Sequence, residues 1–99
     1  MDLPLELHNR FVRECFDLSE KYNIGLMQIH SIIIKLEHDK NVLLKERDEN
    51  VGTTYNQVLV WERGKIDLLV EDYKKVLLKE DLLSKDAINE ILLLWKFYQ

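Results

Sequence analysis

The sequence predicts an all-α fold: an up-down antiparallel four-helix bundle with two long central helices. Three observations lead there. Apolar residues recur at three- and four-residue spacing along most of the chain, which is the period of a helix face. Glu, Lys, Arg, Asp, Leu and Ile are interleaved throughout, and most of these are good helix formers. Three Gly and one Pro supply little material for hairpins. The periodic segments are joined by short connections, which make successive helices antiparallel neighbours.

The first helix is expected over residues 4–22. Pro4 suits a first turn, and Asp2 is a candidate cap. Leu7, Phe11, Cys15, Leu18 and Tyr22 form its apolar stripe, widened by Leu5, Val12 and Phe16. Asn23 and Gly25 break the pattern, because both tolerate a left-handed backbone. The second helix is expected over 26–49. Ile29, Ile32, Ile33, Leu36, Leu43 and Leu44 share one face, and Lys40 interrupts it within His38-Asp39-Lys40-Asn41, where a bend is an alternative to one continuous helix. Asn50-Val51-Gly52 stops it.

The third helix is expected over 53–79, opened by a cap at Thr53 or Thr54. Its stripe is Tyr55, Val58, Leu59, Ile66, Leu69, Val70, Tyr73, Val76 and Leu77, with Gly64 inside it at a cost of about 1 kcal/mol relative to Ala. The fourth helix is expected over 84–98, with Ser84 as cap and Asp86 complementing the positive end of the helix dipole. Ile88, Ile91, Leu92, Trp95 and Tyr98 form one stripe, and Leu93, Leu94 and Phe97 form a second on the opposite side. The two long helices would span about 35–40 Å at 1.5 Å per residue.

At 99 residues, 46% hydrophobic and 32% charged, the chain reads as a single helical domain over 1–99 that is too apolar for disorder. A net charge of −4 does not suit generic nucleic-acid binding, which needs basic patches. One cysteine leaves no internal disulfide, and Cys15 on the first stripe reads as a small core residue. Neither a signal peptide nor a span of about 18 apolar residues is present, so the expected location is cytoplasmic, with no membrane partner. The Ile, Lys, Leu and Asn usage suggests an AT-rich genome, bacterial or phage.

Leu18-Ser19, Tyr22-Asn23-Ile24, Ile29 and Ile32 stand at the offsets of two helices packed across a sharp turn. The segment 18–36 resembles a helix-turn-helix motif, and the resemblance implies a second helix that reads DNA. The outward positions would be Gly25, Leu26, Met27, His30, Ser31 and Ile34, and the one basic residue beside them is Lys35. Leu26, Met27 and Ile34 suit a protein partner better than phosphates and base edges. A DNA-binding transcriptional regulator using 18–36 is therefore the alternative reading.

No catalytic, cofactor-binding or metal-binding residues are assigned, and no enzyme activity is expected. There is no His-x-x-x-His, Cys-x-x-Cys or Glu-x-x-His pair, no nucleophile elbow and no phosphate-cradling glycine loop. His8 falls in the wide stripe of the first helix and is expected to be partly buried. Glu62 interrupts the third stripe, where a bridge to Lys40 or exposure at the helix edge accounts for it.

What remains is surplus apolar surface. Trp61 and Leu68, Met27 and Ile34, and the group Leu93, Leu94 and Phe97 face away from their main stripes. Several such groups at heptad-like spacing suggest a contiguous contact surface. The leading expectation is a small non-enzymatic interaction protein (an adaptor, inhibitor or regulator). It would dock these seven residues on another protein, on a second copy as a homo-dimer, or on both.

Overall fold

A computed structural model describes the backbone of residues 3–50 and 55–99 and the side chains of 3–45 and 60–99. Those residues form four helices and no strand: α1 (Leu5–Tyr22), α2 (Leu26–Asn50), α3 (Tyr55–Glu80) and α4 (Lys85–Phe97). The expected bounds differ from these by one or two residues. Asp2, Thr53, Thr54, Val51 and Gly52 lie outside the described residues, and so do the side chains of Tyr55, Val58 and Leu59.

Local chemistry explains the helix ends. Pro4 is the N-cap of α1, and its carbonyl accepts from the amide of His8. Asn23 adopts the left-handed conformation at φ 52° and ψ 48°. The amide of Ile24 donates to the carbonyl of Ser19, and that of Asn23 to the carbonyl of Glu20. This is a Schellman ending with asparagine in the usual glycine place. Ser19 Oγ donates to the carbonyl of Ile24 at 2.6 Å and closes the corner.

Gly25, expected to help by left-handed freedom, has no positive φ. Its carbonyl instead accepts from Gln28 and Ile29 and starts α2. The α2 helix runs unbroken through His38–Asn41, and Lys40 donates to Oε1 of Gln99. Asp81 turns left-handed after α3, at φ 54°. Ser84 Oγ accepts from the amide of Ala87 at 3.2 Å, so it caps α4 as expected.

α1 packs on α2 and α4, and α3 packs on the same two helices. The Cα extents are 45 × 34 × 17 Å. The thinnest dimension admits about two helix layers, since packed axes lie roughly 8–10 Å apart. Each helix therefore keeps an outer face.

The core is built on the shortest helix. Ala87, Ile88, Ile91, Leu92 and Trp95 of α4 are buried, with Tyr98 just beyond its end. Phe11 and Cys15 of α1, Ile24 at the corner, and Ile29, Ile32, Ile33 and Leu36 of α2 meet them. From α3, Ile66, Leu69, Val70, Tyr73 and Leu77 lean on this cluster half-buried. Two expected stripe residues, Leu7 and Val76, are exposed instead.

Polar contacts join the helices around the core. Trp95 Nε1 donates to Glu37 Oε1, Tyr98 Oη to Glu14 Oε2, and Tyr73 Oη to Asp39 Oδ2. Lys21 pairs with Glu90, and Lys96 with Asp67.

Candidate functional site

Exposed apolar residues line several separate depressions, not the one contiguous surface expected; Val76 and Leu82 line one of about 450 Å³ between α2 and the end of α3, and three others hold residues singled out by the sequence. The largest is a groove of about 680 Å³ between α1 and α2. Phe11 and Cys15 of α1 and Ile29 and Ile33 of α2 lie along it as buried side chains that belong equally to the core. Val12 of α1 and Met27 and Ile34 of α2 are its exposed side chains, with Met27 73% and Ile34 52% exposed. Phe16, half exposed, stands one turn beyond Val12 on α1.

The helical period explains this arrangement. Ile29, Ile32, Ile33 and Leu36 define the inward face of α2, and Met27 and Ile34, seven residues apart, fall together outside it. Leu26 also lines the groove but leans on the core half-buried, so it is not an outward position. The outward part of α2 in the helix-turn-helix-like segment thus presents Met27, His30, Ser31, Ile34 and Lys35.

The second face is a depression of about 510 Å³ between α1 and α4. It brings Leu93, Leu94 and Phe97 together with Leu18 under a rim of Arg10, Glu14, Asp17 and Glu90. Leu93 and Phe97 are exposed, while Leu94 packs half-buried against the core. Phe97 also meets Tyr98 edge-on, with ring centroids 5.2 Å apart.

The third face holds Leu68, 59% exposed, with Val42, Leu43 and Leu69 between α2 and α3. Trp61 is half-buried on α3 under the Lys65 ammonium. Leu68 therefore lines a different depression from Leu93, Leu94 and Phe97, and Trp61 lines neither.

The α1–α2 groove carries His8, His30, His38, Glu37 and Cys15 among its lining. The Cys15 thiol is pushed up to about 11, first by burial and then by the Glu14 charge. That keeps it a neutral thiol at physiological pH, which suits a core residue and not a nucleophile. His8 is exposed on α1, contrary to the expectation of partial burial, and lines the α1–α2 groove. Among the described residues no three His, Cys, Asp or Glu side chains converge to hold a metal ion, and no helix is long and apolar enough to cross a membrane.

Sequence reasoning found Met27 and Ile34 but missed Val12, which lines the same groove. It looked like a broadening of the core stripe of α1, and its wheel position carried no sign that the stripe was too wide to bury. No protein-family model, curated protein or solved structure matches this chain.

Proposed function

We propose that this chain is a non-enzymatic interaction protein, an adaptor, inhibitor or regulator of the cell interior. It is built as an up-down antiparallel bundle and acts by burying apolar side chains against another protein, a second copy, or both. The observation that supports this is the α1–α2 groove, where Val12, Met27 and Ile34 stand exposed beside a floor of core residues. Exposed apolar side chains gathered around a concavity favour helix-in-groove docking or a two-fold helix interface. The Leu93–Phe97 face is the secondary contact, its charged rim suited to a more polar neighbour.

The test is co-expression of two differently tagged copies in the native host, with identification of everything the first copy retains. Retention of the second copy or of another protein, lost in Met27→Asp/Ile34→Asp with helicity intact by circular dichroism, is the expected result. An identical set retained by wild type and variant would overturn the reading.

A further inference from the structure

α1 stands between two apolar depressions, one of about 680 Å³ on its α2 side and one of about 510 Å³ on its α4 side. Of its 18 residues only Phe11 and Cys15 are buried, whereas α4 buries five of its 13. Leu3, Leu18 and Tyr22 lean on the core half-buried, and Leu5, Leu7, Val12 and Phe16 are exposed. Two fastenings at the middle of α1 run to a single residue, Tyr98. Its ring meets Phe11 edge-on with centroids 5.1 Å apart, and its hydroxyl donates to Glu14 Oε2 at 2.6 Å.

The other three helices hold one another without α1. Trp95 bonds Glu37 across α4 and α2, Tyr73 bonds Asp39 across α3 and α2, and Lys96 pairs with Asp67 across α4 and α3. The most deeply buried large side chains are Ile29 and Leu36 of α2 and Ile88, Ile91, Leu92 and Trp95 of α4. None of them belongs to α1.

We propose that α1 is a hinged flap: it undocks as a unit about the corner at residues 23–25 while α2, α3 and α4 stay folded, and its seating decides whether the α1–α2 groove exists. The bearing on docking rests on the interaction reading above, but the undocking itself does not.

The order of opening follows from what each step exposes. Segments with few buried apolar contacts open at lower free energy than the core. Undocking α1 uncovers Phe11, Cys15 and the core faces beneath them, and it breaks the Tyr98–Glu14 bond. Global unfolding uncovers the α2 and α4 cores as well and breaks the three ties among the remaining helices. The corner can absorb the swing. Asn23 already holds a left-handed backbone, and Gly25 can change φ and ψ without a Cβ penalty in a place where a Cβ would meet nothing within 4 Å. Lys21 pairs with Glu90 within a turn of this corner, where a swing moves it least.

The swing carries Val12, Phe11 and Cys15 out of the groove and leaves Met27 and Ile34 without a facing wall. An undocked helix of 18 residues has little helicity of its own, so its amides exchange with solvent when it opens.

Native-state hydrogen exchange on the purified full chain, read residue by residue by NMR at increasing low urea, tests this. Amides from Phe11 to Leu18 should share one opening, populated at about 0.1–1%. Their protection should be at least about tenfold below that of Ile32–Leu36 and Ile91–Trp95, with a weaker dependence on urea because less surface is exposed. Two substitutions separate a flap from a single cooperative unit. Tyr73→Phe removes a bond that persists when α1 is undocked. It should lower protection in α2 and α4 at least about threefold and leave α1 protection and the rate of Cys15 labelling unchanged. Tyr98→Phe removes a bond that is broken in both openings. It should lower protection in α1, α2 and α4 by one common factor and speed Cys15 labelling by the same factor. Circular dichroism checks that each variant stays folded. Equal protection and equal urea dependence across α1, α2 and α4 overturns the proposal, and so does a loss of α1 protection in Tyr73→Phe that matches the loss in α2. Protection that climbs steadily from Leu7 to Leu18 is fraying from the first turn, and it overturns the hinge too. Each of these results leaves the interaction reading standing, which fails instead on the retention experiment above.

Discussion

Trp95 Nε1 donates to Glu37 Oε1 at 2.8 Å, tying the most deeply buried ring of α4 to the half-buried edge of α2. The rest of the indole is fully buried, so its one polar atom has its partner on a neighbouring helix. Trp95→Phe keeps an aromatic ring but removes that donor from a charge-assisted bond. It should cost about 2–4 kcal/mol of stability. Glu37→Ala should cost about 1–3 kcal/mol by leaving the indole N–H unpaired. Urea unfolding of both single variants and the double variant should give a coupling energy of about 1–2 kcal/mol. Strict additivity would mean that the bond contributes nothing.

Cys15 should resist modification. With its thiol raised to about 11 and its side chain buried, very little thiolate is present at mildly alkaline pH. Labelling by a disulfide reagent should be at least about a hundredfold slower in the native protein than in denaturing urea. Equal rates would show that the core around Phe11, Ile29 and Ile33 is open.

The left-handed corner at Asn23 gives a clean substitution pair. Asn23→Gly fits the same backbone without a Cβ penalty and should leave stability within about 0.5 kcal/mol. Asn23→Val places a β-branched residue at positive φ and should cost at least about 1–2 kcal/mol. Thermal unfolding of the two variants side by side checks this, and equal melting temperatures would contradict it.

Gly64 sits inside α3 with helical backbone on both sides, and an added Cβ would meet nothing within 4 Å. Gly64→Ala should therefore stabilise the protein by about 0.5–1 kcal/mol, mainly by restricting the unfolded chain. A lower urea midpoint for the variant would refute this.

Tyr73 Oη donates to Asp39 Oδ2 at 2.6 Å, and the pair biases stability at both ends of the pH scale. The bond from Tyr73, with His38 second, holds the Asp39 carboxyl below its usual value of 3.8. Its stabilising contribution is therefore present above that value and is lost as pH falls through the lower folded one. Burial, and then the bond to Asp39, pushes the Tyr73 hydroxyl from 10.0 up to about 12. That contribution is present below the ordinary tyrosine value and is lost as pH rises through about 12. Tyr73→Phe should flatten both limbs of a plot of urea midpoint against pH. An unchanged plot would count against the pair.

The elements legible in the sequence are those set by neighbours within about four residues. The α4 stripe of Ile88, Ile91, Leu92 and Trp95, the Ser84 cap and the Asn23 corner are local features and stand where the pattern places them. Which surplus residues share a face depends on how the helices lie against one another, and no single-helix wheel contains that. Leu93 and Phe97 therefore look like partners of Trp61 and Leu68 in sequence but lie beside Leu18 and Glu14 of α1. The gathering of His8 with His30 and His38 was hidden for the same reason, since it arises only when α1 and α2 pack. Gly25 misled because glycine permits a left-handed backbone without requiring one.

The burial of α4 also bears on how this chain comes into being. On the ribosome, α1, α2 and α3 emerge before the residues that seat them, and α1 and α2 cannot bury Phe11, Ile29, Ile33 and Leu36 as they do in the finished fold until Trp95 has left the exit tunnel. Until then the nascent chain carries that apolar surface without the α4 side chains that cover it. Chaperone demand, and vulnerability to proteases, should fall once α4 arrives.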